Sequence, residues 1–367
     1  MKKKKALFFI NSLSNGGAER VCANLTKEMI REGFDVDYII LGENTENSNN
    51  YSIGKNVNVL NLNINTKNRL LKLLKTFYSI GKVNKYIKTR EKSGKYDIIT
   101  SHLPTSNILT RLSKASKKAI YVFHTNMSHY GKKENRLFNV FLKIIFNKRK
   151  VVTVSKGMMD ECVNDYGFNS KYITTIYNPI SFDEIDQLKN EKIDFNDKYF
   201  LQVGRFNNEK RQDRMLKIFK EGNYYPKYKL VFCGTGANEA KIKQMAKKMK
   251  MDEMVYFAGW QSNIFKWMKN CEILISCSDN EGFPMNLIEA YYCNTKVVAA
   301  DCKFGPNEIL INDFKKFLVK DKENISEYID KINMALDNYP KMKNNIIEKC
   351  KVNNVVKKYV DFSNMEV

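Results

Sequence analysis

Apolar, β-branched runs recur along this chain with amphipathic helical stretches between them: ALFFI, VDYIIL, YDIIT, AIYVF, VVTVS and YITTIY, then YFLQVG, KLVFCG, VYFAG, EILISC and KVVAA. Strands that are apolar along their whole length, instead of alternating, must be covered on both faces. Crossover helices do this for a parallel sheet. The pattern therefore constrains the chain to a doubly wound α/β architecture, formed twice. At 367 residues there is room for two cores, since a single core stops growing at roughly 250–300 residues.

The two series meet at YNPISFDEIDQLKNEKIDFNDK, where the strand pattern stops, a proline enters and polar residues crowd together. We expect a linker over about 178–198 there, between a first domain over 1–178 and a second over 179–350. The last stretch, from about 339, is helix-like, and 351–367 is expected to pack back on the first domain.

The opening MKKKKALFFINS imitates a secretory leader, but its apolar run ends at Ile10, short of the ~7–15 residues such a segment carries. The longest apolar runs, such as FLKIIF, are broken by lysine well before the ~20 residues of a membrane span. The eight cysteines form no Cys-x-x-Cys pair and several fall inside apolar strands, as expected in a reducing cytoplasm. The net charge of +22 is unevenly placed: residues 1–180 hold 31 basic and 13 acidic side chains, the remainder 31 and 27. Such a balance raises a polyanion or nucleic-acid binder as a rival reading, but it gives no reason for two carboxylates at a strand edge.

In open α/β sheets ligands bind beyond the carboxyl ends of the strands, so the loops after the apolar runs are the candidate sites. After ALFFINSL, Gly16 and Gly17 open a helix whose N-terminus suits an anion, or they form a plain strand-to-helix turn. After YFLQVG, Gly204 leads to Arg205 and Lys210, a planar fork and a point charge that together suit a diphosphate. After KLVFCG, Gly234 and Gly236 make a short turn fit for a phosphate or simply for a tight bend. After CEILISCSDN comes EGFPMNLIEA, with Glu281 in the turn and Pro284 suited to the first helical position. Met285, Ile288, Glu289 and Tyr292 then share one helical face. An ionised Glu289 on that apolar stripe needs a basic partner or ligand hydroxyls.

EGFPMNLIE, a glutamate followed by seven residues and another glutamate, resembles the signature of retaining glycosyltransferase family 4. GGAER, VS at Val154 and Ser155, YNPI, VGRFNNEK, CGTG, VYFAGW and DCKFGPNEIL agree with that family in order along nearly the whole chain. The resemblance implies a GT-B fold, two Rossmann-like domains facing a central cleft. It also implies sugar transfer from a nucleoside diphosphate sugar to a hydroxyl with retained configuration. By that likeness Arg205 and Lys210 bind the diphosphate, Glu281 the sugar hydroxyls and Glu289 the ribose. The backbone of Gly282, Phe283 and Pro284 lines the sugar and phosphate, with Gly204 and Gly234 nearby. Gly16 and Gly17 border the acceptor and diphosphate. His124, in VFHTN, matches the histidine relatives place near the donor sugar, and His102 faces the acceptor.

Charge growing on the departing diphosphate strengthens its contacts to Arg205, Lys210 and a helix N-terminus, which is electrostatic catalysis. No metal or cofactor is expected, since two cations at the diphosphate do that job. The resemblance favours a UDP-hexose or UDP-N-acetylhexosamine, with a GDP-sugar as the alternative, and a glycan or polyprenyl-diphosphate-linked acceptor in capsule or lipopolysaccharide synthesis. No nucleic acid is expected as a partner. NRLLKLLKTFYSIGKVNKYIK carries an apolar stripe (Leu70, Leu73, Leu74, Phe77, Ile80, Val83, Ile87) that reads as core-facing. Lys72, Lys75, Lys82, Lys85 and Lys88 lie off it. With NRLFNVFLKIIFNKRK it supplies a basic face expected to dock on the anionic inner leaflet.

Overall fold

Six consecutive buried residues form β1 (Lys5–Ile10), and parallel neighbours flank it on both sides. The computed structural model describes residues 3–14, 16–42, 53–54, 57–64, 69–127, 136–340 and 345–366. It falls into two compact units, Met1–Ile180 with Glu348–Val367, and Ser181–Ile347.

In the first unit β1 is joined by β2 (Asp35–Ile40), β3 (Asn58–Asn61), β4 (Ile98–His102), β5 (Ile120–Phe123), β6 (Val151–Thr153) and β7 (Ile173–Thr175) in the order β3-β2-β1-β4-β5-β6-β7. Every pairing is parallel, with Phe9 opposite both Ile39 and Ser101. The covering helices are α1 (Gly17–Arg31), α2 (Arg69–Arg90), α3 (Pro104–Leu112), α4 (Arg136–Phe146) and α5 (Lys156–Asn164). The core is apolar and aromatic, with Phe8 and Tyr38 stacked at 5.0 Å.

The second unit holds α6 (Phe182–Leu188), β8 (Tyr199–Val203), α7 (Gln212–Glu221), β9 (Lys229–Cys233), α8 (Glu239–Lys248), β10 (Val255–Gly259) and α9 (Phe265–Asn270). Then follow β11 (Ile273–Ser276), α10 (Met285–Tyr292), β12 (Lys296–Ala300), α11 (Pro306–Ile309), β13 (Leu318–Val319) and α12 (Ile325–Asp337). Its sheet is parallel in the order β10-β9-β8-β11-β12-β13. Both sheets are thus doubly wound, as the repeated apolar runs require. β3 and β13 were not legible. One is short, polar and partly exposed, the other only two residues long.

The stretch expected as a linker is not open chain: α6 fills part of it. Phe182 and Ile185 are buried, the side chain of Asn263 donates to Leu188 O, and Tyr292 donates to Asp186. Polar composition hid a helix held by two apolar residues one turn apart. At the other end α13 (Ile346–Cys350) leads into α14 (Val352–Asn364). Ile180 N donates to Cys350 O, and Val355, Val356, Tyr359 and Phe362 bury one face of α14 against the first unit, where α1 packs on it. Each such side chain contributes about 1.5–3 kcal/mol.

In each sheet the order reverses once, between β1 and β4 and between β8 and β11. The helices leave on opposite faces there, which opens a crevice beyond the strands' carboxyl ends.

Candidate active site

At the β8/β11 reversal two loops are tied to each other. Asn207 Oδ1 accepts from Lys210 N at 3.1 Å, capping a single 3₁₀ turn over Asn208–Lys210. Gln202 donates to Lys210 O at 2.7 Å and Gln212 to Arg205 O at 3.1 Å, so the loop's backbone is fixed from both ends. Asp279 N donates to Glu209 O at 2.8 Å, and Glu281 N to Lys303 O at 2.9 Å. Lys210 Nζ lies 2.5 Å from Glu281 Oε1, both side chains being largely but not wholly buried. The two residues assigned to diphosphate and sugar therefore hold each other. Arg205 stands exposed on the same loop.

Gly204 and Gly234 meet at this edge. A Cβ on Gly234 would lie 2.1 Å from Gly204 O, and its φ of 142° already excludes most side chains. This close approach of two strand-end loops is a sufficient physical reason for glycine at 234. A Cβ on Gly236 would lie 2.4 Å from Phe206 O.

Gly282, Phe283 and Pro284 are buried ahead of α10. Pro284 is the N-cap, and the helix begins at Met285, one residue later than expected. Asn286 donates to Val203 O at 3.0 Å, locking α10 to the end of β8. Glu289 is buried, but so are Leu287, Ala290 and Tyr291, while Tyr292 is only half-buried. The helix is therefore buried nearly all round instead of along one stripe.

Behind this edge lies a network that sequence reading missed. Arg214, 1% exposed, donates to Cys277 O at 2.7 Å, pairs with Asp279 Oδ1 at 2.9 Å and contacts Glu323. Arg211 pairs with Asp279 Oδ2 at 2.9 Å. Burial pushes the Asp279 carboxyl up, but hydrogen bonds from Arg211 and Arg214 outweigh it and hold the group below its ordinary range.

The β1/β4 reversal is built differently. Gly16 is the N-cap of α1, and a Cβ there would lie 1.9 Å from the Glu19 carboxylate. The helix's own first-turn glutamate therefore lies against the anion position, also accepting from Ser12 Oγ at 3.1 Å. Gly17 beside it is exposed. Ser106 Oγ donates to Asn11 Oδ1 at 2.7 Å. His102 and His124 come together, Nδ1 to Nε2 at 2.9 Å with rings stacked at 5.2 Å, and His102 Nε2 lies 3.1 Å from Thr100 Oγ1. Burial lowers both imidazoles, His102 well below its ordinary value and His124 to about 3. Each is uncharged at neutral pH. His102 is wholly buried, so it does not itself face a ligand, contrary to expectation.

Elsewhere in this unit α2 departs from the expected core-facing stripe. Val83 and Ile87 are buried, but Leu71, Leu74, Phe77 and Tyr78 are exposed, as are Val140, Phe141 and Ile144 of α4. The side chains of Leu70, Lys72 and Leu73 lie outside the described residues. Among the described residues no helix is long and apolar enough to cross a membrane.

Two family models meet at the boundary between the units. Glycosyltransferase Family 4 matches residues 15–184 and Glycosyl transferases group 1 matches residues 183–352. The chain belongs to the GT-B glycosyltransferases. It is 27% identical over 369 residues, 97% of this chain and 99% of the relative, to the N-acetylgalactosamine-N,N'-diacetylbacillosaminyl-diphospho-undecaprenol 4-alpha-N-acetylgalactosaminyltransferase of Campylobacter jejuni. Its fold matches a mutant of S. aureus TarM solved with fondaparinux, alpha-GlcNAc-glycerol and UDP, at TM-score 0.75 and 15% identity over 99% of this chain and 100% of that one. It also matches Anabaena HepE solved with UDP and glucose, at TM-score 0.70 and 16% identity, over 98% and 95% of the two chains. In this glycosyltransferase the Glu-x7-Glu segment is the β11–α10 connection, which places Glu281 before α10 and Glu289 within it.

Proposed function

We propose that this glycosyltransferase moves a hexose or N-acetylhexosamine from a UDP-sugar, with retention, to a hydroxyl of a glycan or polyprenyl-diphosphate-linked acceptor in cell-surface polysaccharide synthesis. The observation that carries this reading is the Lys210–Glu281 pair at the β8/β11 reversal, with Arg205 on the same loop. A nucleotide sugar offers each charge a replacement: its diphosphate takes Lys210 and Arg205, and its sugar hydroxyls take Glu281. Neither buried charge is stranded by the exchange, which keeps its cost low. As the glycosidic bond to the diphosphate breaks, negative charge grows between the two cations, and their attraction rises most in the transition state. Glu289, buried one turn into α10, takes the ribose hydroxyls in this reading.

The relative's named activity supports an acetamido sugar and a diphospho-undecaprenol-linked acceptor. The solved neighbours holding UDP support the nucleotide. An α-linked product formed from an α-linked nucleotide sugar retains configuration. The apolar side chains exposed on α2 and α4, interleaved with Lys75, Lys82, Lys85 and Lys143, support docking on an anionic leaflet that presents the acceptor.

Nucleotide release from a panel of UDP- and GDP-sugars, with and without lipid-linked acceptors, tests the reading. We expect turnover with one UDP-sugar, abolished in Arg205→Ala and Glu281→Ala; turnover unchanged in both variants refutes the assignment. Cosedimentation with anionic vesicles tests the docking, which should weaken when Lys72, Lys75 and Lys82 become Glu.

A further inference from the structure

His102 closes β4, and His124 follows β5, its parallel neighbour, with His102 opposite Val122. That register sets the rings side by side, while Thr100 shares the His102 face of β4 two residues earlier. Three polar groups thus form one line: Thr100 Oγ1 to His102 Nε2 at 3.1 Å, then His102 Nδ1 to His124 Nε2 at 2.9 Å. Because both rings are uncharged, each carries one proton, and the hydrogen bond at one nitrogen decides which atom holds it.

Only two arrangements satisfy the line. In one, the Thr100 hydroxyl donates to His102 Nε2, His102 Nδ1–H donates to His124 Nε2, and His124 keeps its proton on Nδ1. In the other, every bond reverses and the Thr100 hydroxyl proton must find a different acceptor. Thr100 is 1% exposed, and among the described residues its hydroxyl meets no acceptor except His102. The second arrangement leaves a buried hydroxyl proton unpaired, so the first prevails.

We propose that Thr100 and His102 are positioning residues that fix His124 as an Nδ1–H donor toward an oxygen of the substrate, which excludes it as the base that deprotonates the acceptor. With Nε2 engaged by His102 and Nδ1 carrying hydrogen, the neutral ring has no lone pair to offer. It stabilises an oxygen by donating to it, and the acceptor's proton leaves by another route. That a substrate oxygen comes to Nδ1 rests on the glycosyl-transfer reading; the proton order does not.

Long-range proton–nitrogen spectra of the full-length protein with ¹⁵N-labelled histidine, assigned by single substitutions, read the tautomers directly. We expect protonated Nδ1 and bare Nε2 on both His102 and His124, kept in Thr100→Ser and scrambled in Thr100→Val. A His124 signal with hydrogen on Nε2, or one unmoved in Thr100→Val, overturns the proposal. These spectra need no turnover, so a wrong donor or acceptor leaves them decisive. With substrate in hand, His124→Asn keeps an N–H near the Nδ1 position and should retain activity at least tenfold above His124→Leu. A rising pH–rate limb with a histidine-like midpoint, present in the wild type and lost in His124→Asn, would restore the base role and sink this one.

Discussion

The two sheets reverse at equivalent points, yet the edges they present have opposite chemistry. At the first, hydroxyls, an amide and two uncharged imidazoles are linked by hydrogen bonds, with Glu19 folded onto its own helix N-terminus. At the second, Lys210, Glu281, Arg211, Arg214 and Asp279 form direct ion pairs. Topology thus fixes where a ligand can bind, and the side chains at that point decide what it is. A neutral, hydrogen-bonding edge suits hydroxyls; an edge with exchangeable ion pairs suits a diphosphate.

The sharpest way to break this contrast is to remove the charges. Arg214→Leu deletes a buried cation whose carboxylate partners are partly exposed, and should cost the second unit about 3 kcal/mol, the low end for a broken buried pair. Urea unfolding would show it; a loss under about 1 kcal/mol would mean the network is ornamental to stability. Lys210→Ala should lower kcat/KM for the nucleotide sugar about 10²-fold, the scale of one lost transition-state contact. Arg205→Ala, at an exposed position, should match that loss while shifting stability by no more than about 0.5 kcal/mol. Were Arg205→Ala to unfold the protein instead, the division between structural and ligand-facing cations at this edge would collapse.

The neutral edge responds to pH with its own sign. Both histidines have folded values below the unfolded one of about 6.5, so below that pH the unfolded chain binds protons the folded chain refuses. Stability is full above it and falls as pH drops. Asp279 is lowered from 3.8, so its contribution is present above that value and lost only in stronger acid. Hydrogen exchange read separately over the β4–β5 and β8–β11 segments between about pH 7 and 4.5 should show the first loosening before the second. Simultaneous loosening would contradict the contrast.

What the sequence displayed, it displayed through local pattern. Continuous apolar strands announced both sheets, and EGFPMNLIE announced the β11–α10 connection. What it hid was assembled across distance. Arg214 meets residues 65 and 109 positions away, through loops that no periodicity links. The histidine pair was within reach: two histidines at the ends of consecutive apolar runs become neighbours if those runs are adjacent parallel strands. Strand order was the missing fact. α2 misled because seven apolar residues at helical spacing describe one face of a cylinder but do not reveal how far along it the cover extends.

The smallest expected effect concerns a carboxylate on the first edge, Glu19. Glu19 sits in the first turn of α1 with its oxygens against Gly16, where the helix N-terminus carries about half a positive charge. Glu19→Gln keeps an oxygen for the Ser12 hydroxyl and removes only the charge. It should cost about 0.3–1 kcal/mol, with the loss shrinking as salt is raised. A cost above about 2 kcal/mol that salt leaves untouched would show that burial of the charge, and not the helix terminus, sets its worth.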